Sequence, residues 1–291
     1  AVAPSAEDWN ALVPPVAAQA QVDVIVPVYR GYSETLRCLH AALRYPQRTP
    51  FELIVINDAG PDQELNAELR RLAARGLFTY LENGTNLGFV RTVNRGMALH
   101  PERDVVLLNS DAEPFNDWLD RLRAAALARN RVASVTPLSN NATICSYPHF
   151  NRDNPQALEV DGETVDRLAS RVNAGVSVPA PTGVGFCMYI RRAALDAVGL
   201  FDAEAFGQGY GEENDFCQRA IAAGWQNLLA ADVYVWHWGS TSFGGTRHAR
   251  VAHAMEVLQR RYPRYQRDVA DFIAEDSLAA SRRRQARARQ L

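Results

Sequence analysis

Lysine is missing from this chain of 291 residues, so all 31 of its cationic side chains are arginines. Chemistry that depends on a lysine amine is therefore excluded, including Schiff-base catalysis and the phosphate-binding lysine of a P-loop. Cysteine is scarce as well, and the four cysteines are widely spaced and form no CxxC pair. Most of them lie in apolar segments, which favours buried thiols in a reducing compartment.

Long apolar runs are also missing. The sequence has no apolar segment long enough to cross a bilayer, and its first residues lack the basic-then-apolar pattern of a secretory signal. We therefore expect a cytoplasmic protein. Residues 1–20 are rich in Ala and Pro, which is typical of an N-terminal extension or linker. One interpretation is that this segment links the domain to further domains of a longer chain.

Neither sign of charge dominates the chain. A net charge of −2 offers no general attraction to nucleic acid, so we expect no nucleic-acid partner. The exception is the segment 266–291, which we interpret as a C-terminal helix and an arginine-rich tail. Such a tail is most often solvated or disordered, and contact with anionic lipid at the inner face of a membrane is the alternative.

Strand and helix patterns alternate through the first half of the chain. Apolar, β-branched runs at 22–28, 51–56, 77–81 and 104–108 predict buried strands, and amphipathic helices separate them. This alternation predicts an α/β fold with a doubly wound, mostly parallel sheet. The second half is less regular: we expect a loop-rich stretch at 137–181, strands near 185–190 and 228–236, and helices at 212–223 and 246–261.

Polar residues follow several of the predicted strands, where a parallel sheet presents its ligand-binding loops. Asp58 could accept a hydrogen bond from a base or ribose, although an Asp in a turn is more often a cap. Asn86 and Gly88 precede a helix start that could face phosphate, and a plain loop-to-helix cap is equally compatible. The glycine fingerprint of dinucleotide-binding folds is missing.

Asp111 follows the buried strand at 104–108, where a charge is unfavourable unless it meets a cation. A carboxylate with neighbouring oxygen atoms suits Mg²⁺ or Mn²⁺. The alternative is a capping role for Asp111 or Glu113 at the helix that starts near Pro114. The other polar strand ends favour the cation site.

Three acids follow a glycine-rich loop in the second half of the chain: Glu212, Glu213 and Asp215. Repulsion between like charges raises the pKa of at least one of them, which suits a general base. Acids in the first turn of a helix are also favoured by its dipole. His237 lies between Trp236 and Trp238, and spacing alone favours a histidine packed in an aromatic cluster.

Six short motifs, in this order, resemble the family 2 glycosyltransferases of GT-A fold over residues 22–245. They are Val26-Pro27-Val28-Tyr29, Val55-Ile56-Asn57-Asp58, Asn86-Leu87-Gly88-Phe89 with Asn94 and Gly96, Leu107-Leu108-Asn109-Ser110-Asp111, Gly211-Glu212-Glu213-Asn214-Asp215, and Trp236-His237. The resemblance implies a GT-A domain at 21–265, with a nucleotide-binding half at about 21–135 and a fused acceptor-binding half at about 136–265.

The resemblance also implies roles for individual residues. Asp111 would hold Mg²⁺ or Mn²⁺ at the last acid of the family's DxD motif, whose first acid is here Asn109, and His237 would be a further metal or diphosphate contact. Glu213 would be the catalytic base, with Glu212 as the fallback. The expected nucleotide-binding residues are Pro27, Tyr29, Asp58, Asn86, Gly88 and Ser110. The expected acceptor- or sugar-binding residues are Tyr210, Asp215, Trp236 and Trp238.

The activity implied is inverting transfer of a sugar from a nucleotide-diphosphate donor, UDP- or dTDP-linked, to a hydroxyl of a glycan or lipid-linked glycan. The Asn-Ser-Asp variant resembles members that build bacterial surface polysaccharides, often with rhamnose. A nucleotidyltransferase, which would form pyrophosphate, is one alternative, and an oxidoreductase is disfavoured by the missing glycine fingerprint. A degenerate transferase domain used as a binding module is another alternative, and Asn109 favours it.

Overall fold

The structure is a computed structural model that describes residues 2–15, 17–207, 209–239 and 247–290. Its strands are β1 Val22–Val28, β2 Phe51–Asn57, β3 Thr79–Glu82, β4 Asp104–Leu108, β5 Ala112–Glu113, β6 Val132–Ser139, β7 Ser177–Ala180, β8 Cys187–Ile190 and β9 Gln226–His237. Its α-helices are α1 Ala6–Asn10, α2 Tyr32–Arg44, α3 Gln63–Ala74, α4 Phe89–Met97, α5 Trp118–Leu127, α6 Gly162–Val172, α7 Arg192–Val198, α8 Ala203–Phe206, α9 Glu212–Ala222, α10 Arg247–Arg261, α11 Tyr265–Glu275 and α12 Ala279–Arg289.

The strands form a mixed sheet in the order β3-β2-β1-β4-β8-β6-β9-β5, and β7 pairs with β9. The first four are parallel to one another, so their carboxyl ends meet at the same edge of the sheet. Strand β8 enters antiparallel between β4 and β6, while β6 and β9 are parallel. The α/β, doubly wound architecture expected from the sequence is confirmed.

Successive residues of the central strands face opposite sides of the sheet. Val24 and Val26 pack into one buried hydrophobic cluster, whereas Ile25 packs into the other. Because side chains alternate along a strand, a continuous apolar run needs cover on both faces. The helices supply that cover, which explains why these strands read as unbroken apolar segments.

Part of the stretch expected to be loop-rich, 137–181, is regular. It contains helix α6, which packs against β9, and the short strand β7. The sequence does carry the pattern of a helix here, in the helical spacing of Val165, Leu168, Ala169 and Val172. Asp161 caps the helix by accepting from the Thr164 N–H at 2.7 Å. The last predicted helix begins at Arg247, and Thr246 lies outside the described residues.

The arginine tail is ordered and only partly solvated, since Arg282 is buried whereas Arg283, Arg284 and Arg287 are exposed. Residues 279–289 form helix α12, which packs against α6. Arg282 is buried, pairs with Asp276 and lies over the Phe150 ring, while Arg289 pairs with Glu159 at 3.0 Å. The described helices include none that is long and apolar enough to cross a membrane.

Candidate active site

Asp111 and His237 meet where β5 pairs with the end of β9. In the antiparallel register Ala112 lies opposite His237, and the Trp238 N–H donates to the Asp111 carbonyl at 3.0 Å. This pairing brings Asp111 Oδ1 to 3.3 Å from His237 Nε2. Both side chains remain partly accessible, at 13% and 16% exposure, so a ligand can reach the two atoms.

The histidine ring is held in one orientation. His237 Nδ1 lies 2.7 Å from the Asn141 carbonyl, which can only accept, so Nδ1 carries the proton and Nε2 faces Asp111. Asn140 fixes the backbone by accepting from the His237 N–H at 2.7 Å and donating to its carbonyl at 3.0 Å. Burial lowers the pKa of His237, but the hydrogen bond and charge of Asp111 outweigh it, and the pKa is raised.

Phe186 packs against this pair and joins it to the turn before Asp111. Its ring stacks on His237 with centroids 5.3 Å apart, and its carbonyl accepts from the Asn109 N–H at 2.8 Å. The turn from Asn109 to Ala112 is closed by a backbone hydrogen bond of 3.0 Å, which directs Asp111 toward the ring. Ser110 is partly exposed in the same turn.

Glu213 lies at the start of helix α9, next to Gly185. A methyl group added to the neighbouring Gly185 would be 3.8 Å from Glu213 Oε1, and Gly185 directly precedes Phe186. Burial raises the pKa of Glu213, and hydrogen bonds from backbone N–H groups, including that of Gly185, partly offset this. Within the described part of the chain, Glu213 Oε2 has no hydrogen-bond partner.

Glu212 is the more deeply buried acid of the pair. It is 5% exposed, and its Oε2 also lacks a hydrogen-bond partner among the described residues. Burial, followed by the charge of Glu213, raises the pKa of Glu212 well above its ordinary value. Ionisation of Glu212 is therefore less favourable than that of an ordinary, exposed glutamate.

A scan against protein families decides the classification. Residues 23–199, more than half of the chain, match glycosyl transferase family 2. The chain belongs to this family. A search of curated proteins finds no significant match. The sequence-based recognition is thereby confirmed, and we refer to the protein below as the transferase.

Solved structures support the GT-A fold of the transferase. A structure of GalNAc-T7 with UDP, GalNAc and Mn²⁺ aligns with a TM-score of 0.62 at 15% identity, covering 90% of this chain and 52% of that one. The transferase thus spans about half the length of GalNAc-T7. The mannosyltransferase PcManGT from Pyrobaculum calidifontis, with GDP-Man and Mn²⁺, aligns with a TM-score of 0.60 at 17% identity, covering 97% of this chain and 79% of that one.

Asp58 organises the loop between β3 and α4 of the transferase. Its carboxylate accepts from the backbone N–H groups of Leu87 at 2.7 Å and Gly88 at 2.9 Å, and from Asn83 Nδ2 at 2.8 Å. Asn86 Oδ1 also accepts from the Gly88 N–H at 3.0 Å. Asp58 is therefore already engaged within the protein, so its effect on a nucleotide would pass through the position of this loop.

We predict that Asp58→Asn lowers the free energy of unfolding by about 2–3 kcal/mol, because an amide that replaces a buried carboxylate loses charge-assisted bonds to backbone donors. Denaturant unfolding measures this change. Asp62→Asn is the control, since Asp62 caps helix α3 through the Leu65 N–H and Asn caps equally well. Equal stability of the two variants would contradict the organising role of Asp58.

Pro27 and Tyr29 lie beside this loop at the carboxyl end of β1. Both are partly exposed, and the Asp58 N–H donates to the Val28 carbonyl between them at 2.8 Å. The turn after β2 approaches closely, because a Cβ at Gly60 would lie 2.3 Å from the Tyr29 carbonyl oxygen. A side chain at position 60 would therefore collide with the Tyr29 backbone, which explains why glycine occupies this position.

Asp215 is bonded to side chains of helices α9 and α10 and to the residue after α10. It is fully buried, Oδ2 accepts from Arg219 at 2.8 Å, and Oδ1 accepts from Arg261 and Tyr262 at 2.8 Å each. These bonds join helix α9 to α10. Its carboxylate is occupied by these structural partners, and the acceptor-binding role expected from the sequence stays a prediction.

We predict that Asp215→Ala lowers the free energy of unfolding by about 3–5 kcal/mol, as expected when one partner of a buried ion pair is removed. Thermal and denaturant unfolding test this. Asp271→Ala is the control, because Asp271 forms an exposed pair with Arg267, at 3.8 Å, and should matter little. A weakened acceptor KM at unchanged stability would restore Asp215 to the site.

Trp236 and Trp238 flank His237 at the end of β9. Because neighbouring side chains alternate along a strand, they point to the opposite side of β9 from His237, where both line a separate cavity. Tyr210 has φ of 75° between two glycines and is partly exposed near the start of α9, and the preceding Gln208 lies outside the described residues. The sugar-binding roles of these aromatics remain predictions.

Sequence reasoning missed the residues that support His237. Asn140 and Asn141 directly follow β6 and hold the ring and backbone of the histidine, and Phe186 stacks on it. The signal was the polar pair after an apolar strand, the same pattern that marked Asp58 and Asp111. The pattern can be recognised only once β6 is known, and the sequence pattern alone predicts no strand at 132–139.

A second acidic cluster lies at the opposite end of the sheet. The ligand atoms of Asp23, Glu52 and His100 lie within 4.8 Å of one another. Arg103 Nη1 donates to Asp23 at 2.9 Å and to Glu52 at 2.6 Å, so an arginine already pairs with both carboxylates of the cluster. We interpret it as a structural ion-pair cluster that is separate from the Asp111 site.

Proposed function

We propose that the transferase moves a sugar from a nucleotide-diphosphate donor to a hydroxyl group of a glycan, with inversion at the anomeric carbon. The observation that carries this proposal is the 3.3 Å approach of Asp111 Oδ1 to His237 Nε2, with Phe186 stacked on the histidine and the preceding Gly185 next to Glu213. Membership of glycosyl transferase family 2 supports the reaction class.

The side chains at β5 and β9 fit a divalent cation. A carboxylate oxygen and an imidazole nitrogen converge, and the Nδ1 hydrogen bond to Asn141 leaves Nε2 as the ligand atom, the arrangement typical of metal-binding histidines. Asp111 and His237 would hold Mg²⁺ or Mn²⁺, which when bound supplies positive charge for the leaving diphosphate. With Asn109 in place of an acid, fewer protein charges would hold the ion.

Glu213 would act on the acceptor. Its Oε2, which has no hydrogen-bond partner among the described residues, can accept the proton of a glycan hydroxyl as the hydroxyl oxygen attacks the anomeric carbon. The carbon–oxygen bond to the diphosphate breaks on the opposite face, so one displacement inverts the stereochemistry. The raised pKa of Glu213 strengthens it as a base relative to an ordinary glutamate.

The nucleotide would lie against the strand-end loops at the carboxyl edge of the sheet. The residues proposed to contact or position it are Pro27, Tyr29, Asp58, Asn86, Gly88 and Ser110. We keep UDP and dTDP as the proposed nucleotides, and the GDP-Man of PcManGT makes GDP a further test. Synthesis of bacterial surface polysaccharide in the cytoplasm, at the inner face of the membrane, is the proposed setting.

The test is a screen of UDP-, dTDP- and GDP-linked sugars with Mn²⁺, Mg²⁺ or EDTA, in which released nucleoside diphosphate is measured with and without oligosaccharide acceptors. We expect cation-dependent release with at least one donor, and product NMR should show an inverted anomeric configuration. Release of pyrophosphate would favour a nucleotidyltransferase. Cation-dependent nucleotide binding with no release from any donor would favour the binding module that Asn109 suggests.

A further inference from the structure

Strand β5 is too short to hold its own position. It consists of Ala112 and Glu113, which pair with His237 and Trp236 of β9. Even a complete pair of strands is only marginally stable by itself, so two residues of ladder need further support. Asp111 directly precedes this strand, and its Oδ1 lies 3.3 Å from His237 Nε2. The position of the Asp111 carboxylate therefore depends on what else holds β5.

Helix α2 supplies this support from two consecutive residues. Arg37 donates to both carboxylate oxygens of Glu113 through three contacts of 2.7 to 3.1 Å. The thiol of Cys38 donates to the Asn109 carbonyl at 3.3 Å. Helix α2 therefore contacts both ends of the segment 109–113, which contains the carboxylate of the proposed cation site.

Arg37 also contacts the residue that follows β9. Its guanidinium lies 5.6 Å from the centre of the Trp238 ring, and the Trp238 N–H donates to the Asp111 carbonyl at 3.0 Å. A weaker contact of 3.4 Å joins Arg37 Nη1 to the Val2 carbonyl. The guanidinium thus touches both sides of the β5–β9 ladder, next to the backbone that carries the two cation ligands.

The pair of Arg37 and Glu113 has the geometry of a strong ion pair. An arginine that bonds to both oxygens of a carboxylate fixes its orientation as well as its charge. The two side chains are 33% and 13% exposed, so solvent screens them only in part. Because both oxygens of Glu113 already accept from an arginine, this carboxylate is poorly suited to bind a cation itself.

We propose that Arg37 is a positioning residue for the cation site: by holding Glu113 it keeps Asp111 in place beside His237. The inference rests on the proposed function, because it concerns the ion that Asp111 and His237 would share. The charge of Arg37 gives the effect a diagnostic sign. Like charges repel, so removing this arginine should strengthen Mn²⁺ binding through charge alone and weaken it only through lost positioning.

Thermal unfolding with saturating UDP, dTDP or GDP and increasing Mn²⁺ tests the proposal in Arg37→Gln, Glu113→Gln and the parent. The measured quantity is the Mn²⁺ concentration that gives half of the maximal stabilisation. We expect each variant to need about tenfold more Mn²⁺ than the parent, as when a residue that orients a metal ligand is removed. A merely structural role would lower the melting temperature without Mn²⁺ but leave the half-maximal concentration unchanged.

Arg71→Gln is the matched control, because Arg71 bonds to both oxygens of Glu68, at 2.7 and 2.8 Å, within helix α3. This variant should need the same Mn²⁺ concentration as the parent. The inference is overturned if Arg37→Gln binds Mn²⁺ as tightly as the parent or more tightly. Tighter binding in Arg37→Gln with weaker binding in Glu113→Gln would instead make Glu113 a cation ligand.

The parent separates this inference from the proposed function. If Mn²⁺ stabilises the parent with none of the three nucleotides, the proposed cation site is refuted, and the role of Arg37 with it. If Mn²⁺ stabilises the parent and Arg37→Gln at the same concentrations, the proposed function stands and only the positioning role is refuted.

Discussion

Asp111→Ala should reduce sugar transfer by about a thousandfold, the rate equivalent of several kcal/mol of charge stabilisation at the leaving diphosphate. Asp111 supplies the carboxylate of the proposed cation site, and His237 alone offers a single neutral ligand. The measurement is cation-dependent release of nucleoside diphosphate with a competent donor. His237→Ala should lower the same rate by a smaller factor, because it removes no charge.

The control for Asp111 is Asp196→Ala, which removes an exposed acid from helix α7. Both variants should keep the circular dichroism spectrum of the parent. The parent and the control should be stabilised more by UDP or GDP with Mn²⁺ than by either alone. Asp111→Ala should lose that additional stabilisation, and a variant that kept both the rate and the Mn²⁺ effect would place the cation elsewhere.

Glu213→Gln should lower the rate of transfer by about 10²–10⁴-fold, the contribution usual for a general base. The amide keeps the size of the side chain but cannot take a proton, so binding of nucleotide with Mn²⁺ should be nearly unchanged. Single-turnover transfer to an acceptor measures the loss. Turnover close to that of the parent would move the base to Glu212.

Glu212→Gln is the matched control for Glu213. Because the folded pKa of Glu212 is raised, its protonated form contributes stability that is lost as the pH rises through that pKa. The neutral amide should therefore retain activity and unfold at a higher temperature than the parent on the alkaline side. Loss of activity in this variant, with Glu213→Gln active, would reverse the two assignments.

The pH profile gives an independent test of Glu213. A base works only when it is ionised, and burial raises the pKa of this carboxyl. We therefore expect kcat/KM to fall as the pH drops through that raised value, at a higher pH than an ordinary glutamate of about 4.3 would give. An acid limb at or below the ordinary value would contradict the assignment.

The first half of the fold could be predicted because its signals are local. Strand β4, Asp104–Leu108, is apolar and bounded by polar residues, and the alternation of such strands with amphipathic helices determines a parallel sheet. The strand-end position of Asp111 followed from the same pattern. Its contact with His237 could not be derived locally, since pairing of a two-residue strand with a distant one leaves almost no periodic signal.

The sequence could not predict which polar residues are buried by distant partners. Arginines in α12 suggested exposure, but Arg282 is buried by Asp276 and the Phe150 ring. Asp215 belonged to a cluster of acids that looked functional, and only the fold shows that Arg261 neutralises it. Partners such as these are fixed by tertiary structure and not by spacing along the chain.

The most direct test of the central claim is pulsed electron paramagnetic resonance of Mn²⁺ bound with UDP or GDP. If His237 Nε2 and Asp111 share one ion, the spectrum of the parent should show nitrogen modulation from a coordinated imidazole, and His237→Ala should abolish it. Because the chain has 6 histidines, the variant is needed to assign the signal. A nucleotide-bound Mn²⁺ spectrum without imidazole modulation, or with modulation that persists in His237→Ala, would contradict the account.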